Sequence, residues 1–189
     1  MKLLSSVLFL LLVVPTCKSS TLEDACRSFA AGHPSIGYDY CIRVFQADKA
    51  SVAAADARGL AAIAAMIAGA KANATAARVA ALCAVERDAR RRDRLAVCAE
   101  VYSDAVDQLA QAEEDLARGE GAGGADDAVT QLSAAVDAPA TCEDAFGEAD
   151  DTSPLAAEDA EFKNLATVAL AVAASLTPRP PSTPIEDKD

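Results

Sequence analysis

Residues 95–146 decide the fold, and they read LAVCAEVYSDAVDQLAQAEEDL (95–116), ARGEGAGGA (117–125) and DDAVTQLSAAVDAPATCEDAF (126–146). In the first segment apolar residues recur every three or four positions, a spacing typical of one face of an α-helix. They are Leu95, Cys98, Tyr102, Ala105, Val106, Leu109 and Leu116. The glycines of the middle segment are predicted to end this helix, because glycine has the backbone freedom that a chain reversal needs.

A second helix is predicted after the glycines, with Asp126 or Asp127 as its N-cap. The residues that recur on its apolar face are Val129, Leu132 and Val136. The stretch therefore predicts an antiparallel helical hairpin, which carries Cys98 on its first arm and Cys142 on its second.

An ordered set of motifs resembles the plant invertase and pectin methylesterase inhibitor family. The motifs are CAEVYSDAVDQL, QLSAAVDAPATCEDAF, an upstream segment ADARGLAAIAAMIAGAKANAT (55–75), and a cysteine pair, Cys26 and Cys41. Each string alone is only alanine-rich helix, but the set in this order is more specific. The resemblance covers roughly residues 21–177.

The predicted fold is all-α, an up-and-down four-helix bundle with an N-terminal helical hairpin extension, stapled by disulfides. Long amphipathic helices joined by short turns favour such a bundle, because each helix buries its apolar face against the others. The resemblance implies that residues 21–47 form the hairpin. One long helix is predicted from an Asp48 cap to Ala72, with Leu60, Ile63, Ile67 and Ala70 buried. The last helix is predicted to start with Ser153 as its cap and Pro154 in its first turn.

The N-terminus has the pattern of a secretory signal peptide. Lys2 precedes an apolar run from Leu3 to Val14, and small residues follow it. About 12 residues are too few to span a bilayer, which needs roughly 20. We therefore predict a signal peptide at 1–20, no other membrane span, and secretion to the extracellular space, the apoplast. Residues 178–189, rich in proline and acids, are predicted to be a disordered tail.

The chain is strongly acidic, which points to a protein partner. Removing residues 1–20 takes away Lys2 and Lys18 and no acid, so the net charge changes from −12 to −14. Such a charge disfavours binding to nucleic acid or to an anionic membrane. The basic residues concentrate in ERDARRRDR (86–94), where the helical pairs Glu86–Arg90 and Asp88–Arg92 are expected on a solvated helix end.

Five cysteines remain beyond the signal segment: Cys26, Cys41, Cys83, Cys98 and Cys142. Four cysteines alone allow three pairings, and the sequence does not choose among them. The family resemblance implies Cys26–Cys41 and Cys98–Cys142, with Cys83 as a free thiol. A zinc site is disfavoured, because no two cysteines have CxxC spacing and His33 is the only histidine.

Two surfaces and one modification site are candidates for function. The resemblance implies that family members meet their enzymes near the helix that carries LSAA, so Thr130 and Ser133 are candidate contacts. Tyr38 and Tyr40, in the predicted hairpin, are the other candidates, because exposed aromatic residues often anchor interfaces. Asn73 begins an Asn-Ala-Thr triplet, an N-glycosylation acceptor, predicted to lie where one helix gives way to the next.

The sequence offers no catalytic or cofactor-binding constellation, and no enzyme activity or cofactor is predicted. No serine–histidine arrangement, phosphate-binding glycine loop or metal-ligand cluster is present. The resemblance implies an inhibitor that binds a plant cell-wall carbohydrate enzyme one to one and covers its active-site cleft. The alternative is a secreted binding or accessory bundle without inhibitory activity.

The resemblance leaves two target enzymes, pectin methylesterase and acid invertase. Invertase inhibitors of the family carry Pro-Lys-Phe in the loop after the helix that starts at the third cysteine of their motif. The corresponding residues here are Arg-Gly-Glu-Gly-Ala-Gly-Gly (118–124), which have neither that lysine nor that phenylalanine. Pectin methylesterase is therefore slightly favoured.

Overall fold

A computed structural model describes residues 21–52, 54, 56–118 and 123–177, and all regular structure in these ranges is helical. The helices are α1 (Thr21–Gly32), α2 (Tyr38–Gln46), α3 (Lys49–Val52), α4 (Ala57–Val85), α5 (Ala89–Ala117), α6 (Gly124–Val136), α7 (Ala138–Gly147) and α8 (Ala156–Ala174). The predicted signal peptide and tail lie outside the described residues, as does most of the glycine-rich loop.

The four-helix bundle with an N-terminal hairpin is confirmed. Helix α5 packs against α4, α6 and α7, and α8 closes the bundle by packing against α4, α6 and α7. Helices α6 and α7 follow each other and together occupy one position of the bundle. Helices α1 and α2 form the hairpin, which contacts the bundle mainly through α1 against α4 and α8.

The core follows the predicted apolar face on α5 but not on α4. Leu95, Tyr102 and Leu109 of α5 are at most 1% exposed. On α4, Ala70 is exposed and Ile67 only partly buried. The buried face of α4 consists instead of Leu60, Ala61, Ala64, Ala65, Ala68, Ala72, Thr75 and Val79. Since alanine occupies both faces of this helix, its apolar periodicity was too weak to identify the buried one.

The predicted limits of the long helix were wrong at both ends. Asp56, not Asp48, is the N-cap, and its side chain accepts a hydrogen bond from the Gly59 N–H at 2.8 Å. Asp48 caps the short α3 segment instead, accepting from the Ala50 N–H at 2.7 Å. The helix also continues without a break through Asn73 to Val85. Nothing in Asn-Ala-Thr forces a helix to end, because the triplet contains neither glycine nor proline.

The start of the second arm also differs from the prediction, because its N-cap is Gly123 and not Asp126 or Asp127. Gly123 has a φ of +114°, in a region that favours glycine. At Gly124 an added Cβ would lie 2.7 Å from the Asp115 carbonyl oxygen, so only glycine lets α6 begin this close to the end of α5. Asp126 and Asp127 lie in the first turn of α6, where their charge complements the helix dipole.

The last helix begins later than expected, and its N-cap is Leu155, which has no side-chain cap bond. Ser153 is 6% exposed, and its hydroxyl oxygen accepts a hydrogen bond from the Leu155 N–H at 3.1 Å. Ser153 thus organises the turn before the helix. The apolar face predicted for this helix is largely buried, with Phe162, Val168 and Val172 at most 2% exposed.

Two disulfides join the helices, in the pairing that the family resemblance implies. Cys26–Cys41 connects α1 to α2, and Cys98–Cys142 connects α5 to α7. Their sequence separations are 15 and 44 residues. In the chain-entropy model, loops of these lengths correspond to about 3 and about 4 kcal/mol of stabilisation. Cys83 is a free thiol of intermediate exposure on α4.

The basic segment 86–94 does not form the predicted pairs, because Glu86, Arg87 and Asp88 lie between helices. Asp88 caps α5 instead, accepting from the Arg91 N–H at 2.8 Å. The Arg91 guanidinium donates to Asp151 Oδ1 at 2.6 Å and lies 5.4 Å from the centre of the Phe146 ring. Helical spacing cannot reveal this contact, since it joins residues 60 positions apart.

One described helix, α4, is long and apolar enough to cross a membrane by length and composition alone, which is weak evidence for a span. In the structure it packs along α5 and α8. Core helices of soluble bundles can have the same length and composition. The alanine-rich face of α4 is buried against these neighbours.

The disulfide pattern predicts how the thiols react. We expect denaturation without reductant to expose one thiol per chain, that of Cys83, while the four bonded cysteines stay unreactive. Mass spectrometry after alkylation locates the label. Labelling of any of the other four cysteines in a substantial fraction of molecules would contradict the pairing.

Candidate functional site

The outer face of α6 exposes the two polar residues singled out in the sequence. Thr130 and Ser133 are both exposed, and Leu132 between them is fully buried. The Thr130 hydroxyl donates to the Asp126 carbonyl at 3.0 Å, and the Ser133 hydroxyl donates to the Val129 carbonyl at 2.7 Å. Both side chains are therefore held in place by hydrogen bonds to their own helix.

The tyrosines of the hairpin differ in their environment. Tyr38 is 36% exposed at the start of α2. Tyr40 is partly buried, and its hydroxyl donates to Glu161 of α8 at 3.1 Å. Burial, followed by the Glu161 charge and hydrogen bond, raises the pKa of Tyr40 above its ordinary value. Tyr40 therefore fixes the hairpin to the bundle, and only Tyr38 is freely presented to a partner.

A shallow groove lies between α2 and α4. Val44, Ala47, Met66, Ile67 and Ala70 line it, with Asp48 at its rim. Met66 is 39% exposed, which makes it one of the few large apolar side chains on the described surface. The sequence did not indicate this groove, because the apolar pattern of α4 placed Ala70 inside the core.

The structure does not bring the two candidate surfaces together. Helix α6 packs on α5 and α8, whereas α2 packs on α1 and α3. A partner that covers Ser133 thus meets one side of the bundle, and a partner that covers Tyr38 meets the hairpin.

Acidic residues dominate the exposed side of α5, the neighbour of α6. Glu100, Asp104 and Asp107 are all exposed and follow one another at steps of four and three residues. At that spacing they project from the same side of the helix. This side of α5 is consequently negative.

Asn73 is exposed in the middle of α4, and its side-chain amide donates to the Gly69 carbonyl at 3.0 Å. Thr75 of the same triplet is 1% exposed, and its hydroxyl donates to the Lys71 carbonyl at 3.0 Å. The threonine is therefore inaccessible in the folded protein. An enzyme that reads the triplet has to act before α4 packs into the bundle.

No group of three or more His, Cys, Asp or Glu side chains suitable for a metal ion occurs among the described residues. One polar cluster lies inside the bundle, where the buried Tyr102 and Asp159 are bonded to each other and the partly buried Glu143 is next to Asp159. This cluster is therefore not a surface that a macromolecular partner could contact.

Comparisons with known proteins agree with this architecture. The chain is 27% identical over 164 residues to the "Putative invertase inhibitor" of Platanus acerifolia, with 86% of this chain and 89% of that protein covered. It is 28% identical over 152 residues to the protein of the same name from Platanus orientalis, covering 80% of this chain and 86% of that one.

Among solved structures, it is similar to mutant form A of a pectin methylesterase inhibitor from Arabidopsis, with a TM-score of 0.67 and 22% identity. That similarity covers 86% of this chain and 100% of the other. A second solved structure, of a pectin methylesterase inhibitor from Arabidopsis thaliana, gives a TM-score of 0.59 at 20% identity, over 86% of this chain and 99% of that one. Both similarities show the fold.

The family model described as plant invertase/pectin methylesterase inhibitor matches residues 12–172, a range that includes both disulfides and the α5–α6–α7 hairpin. Because this match covers most of the chain, the chain belongs to the plant invertase/pectin methylesterase inhibitor family.

Proposed function

We propose that this protein is a secreted inhibitor of a plant cell-wall carbohydrate enzyme, which it binds one to one to cover the active-site cleft. The observation that carries the proposal is the family match over residues 12–172. Disulfides between α1 and α2 and between α5 and α7 support it, because they hold a binding surface in place before the partner arrives.

The α6 face is the contact surface that we favour. A rigid helix with short side chains lets an enzyme surface approach closely, and Thr130 and Ser133 supply such side chains. A stable interface buries about 800 Å² on each partner, so it needs more of the surface than Thr130 and Ser133 alone. The contact therefore extends onto α5, where Glu100, Asp104 and Asp107 favour a basic rim on the target.

Pectin methylesterase is the target that we favour over acid invertase. The two relatives from Platanus are named as invertase inhibitors, so their names alone would argue for invertase. The loop 118–124 argues the other way, because it contains neither lysine nor phenylalanine. Between the end of α5 and the glycine-capped start of α6, the sequence has no aromatic side chain, and its one basic side chain is Arg118.

The decisive experiment titrates the secreted, oxidised protein into a plant pectin methylesterase and, separately, into an acid invertase at about pH 5. We expect pectin methylesterase activity to fall to a plateau at one equivalent of inhibitor. Loss of invertase activity alone would reassign the target. Full activity of both enzymes at micromolar inhibitor would refute inhibition and favour a non-inhibitory binding or accessory protein.

Ser133→Trp tests the contact surface. An indole on the α6 face should prevent close approach and weaken inhibition at least tenfold, equivalent to about 1.4 kcal/mol of binding free energy. Inhibition constants measured by activity titration check this, with circular dichroism to verify the helices.

The matched control is Ala80→Trp, which puts the same side chain on an exposed position of α4. Because α4 packs mainly against α5 and α8, this variant should inhibit as the natural protein does. If Ser133→Trp inhibits normally, the contact lies elsewhere, and Tyr38 on the hairpin becomes the next position to substitute.

We also propose that Asn73 carries a glycan added during secretion. Because Thr75 is buried in the folded bundle, the transfer has to precede folding. Protein secreted from plant cells should lose mass on treatment with an amidase that removes N-glycans. Thr75→Ser keeps the acceptor triplet and should retain the shift, whereas Thr75→Val should abolish it. An unmodified natural protein from a secreting plant cell would contradict the proposal.

A further inference from the structure

A cluster of acidic groups is enclosed where α5, α7 and α8 meet. Tyr102 of α5 and Asp159 of α8 are 0% and 2% exposed. The Tyr102 hydroxyl donates to Asp159 Oδ1. Tyr102 also packs against Phe162, one turn further along α8, with ring centres 5.4 Å apart. One oxygen of Asp159 is therefore bonded, and its surroundings are aromatic.

The other oxygen of Asp159 faces a second carboxyl group. Glu143 of α7 lies within hydrogen-bonding reach of Asp159. Asp159 Oδ2 and Glu143 Oε1 are both buried atoms, and no N–H or O–H group of the described residues donates to either of them. Two carboxyl groups thus lie side by side, and each has a buried oxygen that receives no hydrogen bond from the described residues.

Two ionised carboxylates in this position would repel each other and would each lack a donor. An unsatisfied buried polar atom costs about 1–3 kcal/mol, and more when it is charged. A single proton removes both penalties, because the protonated carboxyl group donates to the ionised one. The geometry is that of an acid pair that binds one proton.

The remaining charges around the pair do not replace that proton. From α8, Glu158 adds a further negative charge next to Asp159. From α4, Arg78 forms an ion pair with Glu158, with Nε and Oε1 2.6 Å apart, and among the described residues it forms no ion pair with Asp159. Burial, and then the hydrogen bond from Glu143, raise the pKa of Asp159 to about 7, although the Tyr102 hydrogen bond acts in the opposite direction.

We propose that Asp159 and Glu143 share one proton, and that this proton is a pH-sensitive latch that holds α8 against α7. Helix α7 is fixed to α5 by Cys98–Cys142, directly beside Glu143, so α8 is the element that loosens when the proton leaves. Helix α8 also carries Glu161, the partner of Tyr40 in the hairpin. Loss of the shared proton consequently weakens the contact between the hairpin and α8 as well.

The sign of the effect follows from linkage. Asp159 binds its proton more tightly in the folded protein than in the unfolded chain, where its pKa is about 4. Its contribution to stability is therefore complete below about pH 4, declines as pH rises, and is lost above about pH 7. The latch is closed in a mildly acidic medium and open in a neutral or basic one, whatever enzyme the protein binds.

Asp159→Asn tests the latch, because an amide reproduces its hydrogen bonds without a titrating proton. Its oxygen accepts from Tyr102, and its NH₂ group donates to Glu143. The measurement is urea unfolding of the disulfide-intact protein from pH 5 to pH 8. We expect the unfolding equilibrium constant of the natural protein to rise at least tenfold more than that of the variant, and the variant to be the more stable of the two at pH 8.

Asp144→Asn is the matched control, since it removes an exposed acid from the position next to Glu143. It should keep the pH dependence of the natural protein. Parallel pH profiles for the natural protein and Asp159→Asn, or a variant that is less stable at pH 8, would overturn the proposal.

Infrared spectroscopy of the natural protein gives an independent result if the variant does not fold. The carbonyl band of a protonated carboxyl group should persist at pH 6, where exposed acids are ionised, and disappear by pH 8.5. In parallel, amide exchange of α8 should accelerate over the same range, relative to that of α5. Absence of the band at pH 6 would refute the shared proton.

Discussion

Helix α5 provides the surface on which the bundle is assembled. Its apolar face is buried along most of its length, from Leu95 to Leu116, against α4, α6 and α7. The Cys98–Cys142 disulfide fixes the contact with α7 within this face. Hydrophobic burial supplies most of the stabilisation of such a helix, and the disulfide limits the unfolded states with which it competes. Other contacts in the bundle depend on where α5 places these neighbours.

Polar contacts then determine how the ends and layers of the bundle meet. At one end the Arg91 guanidinium donates a hydrogen bond to Asp151 and also lies over the Phe146 ring. Burial opposes ionisation of Asp151, but the Arg91 hydrogen bond and the neighbouring arginines hold its pKa below the ordinary value. Asp159 lies in the interior, where acids surround it, and its pKa moves the other way. The pKa values of two aspartates eight positions apart thus shift in opposite directions, because one lies next to arginines and the other is buried beside a carboxyl group.

The candidate contact residues could be named from the sequence because helical periodicity separates exposed from buried positions. Thr130 and Ser133 lie on the outer face that the burial of Leu132 implies. Tyr40 was less predictable, since its hydroxyl is bonded to Glu161, 121 positions away. The groove between α2 and α4 was not predicted from the sequence, for another reason. In a helix with alanine on every side, apolar spacing does not distinguish the buried face from the exposed one.

The sequence by itself determined the helical class, the hairpin around the glycine-rich loop and the buried faces of α5 and α8, because these follow from local spacing and turn residues. It also carried the family motifs that imply both disulfides. Only the tertiary structure decided that α4 runs unbroken to Val85, that Gly124 lets α6 start against Asp115, and that Glu143 meets Asp159. Each of these depends on which helices become neighbours in space, and packing between distant segments determines that.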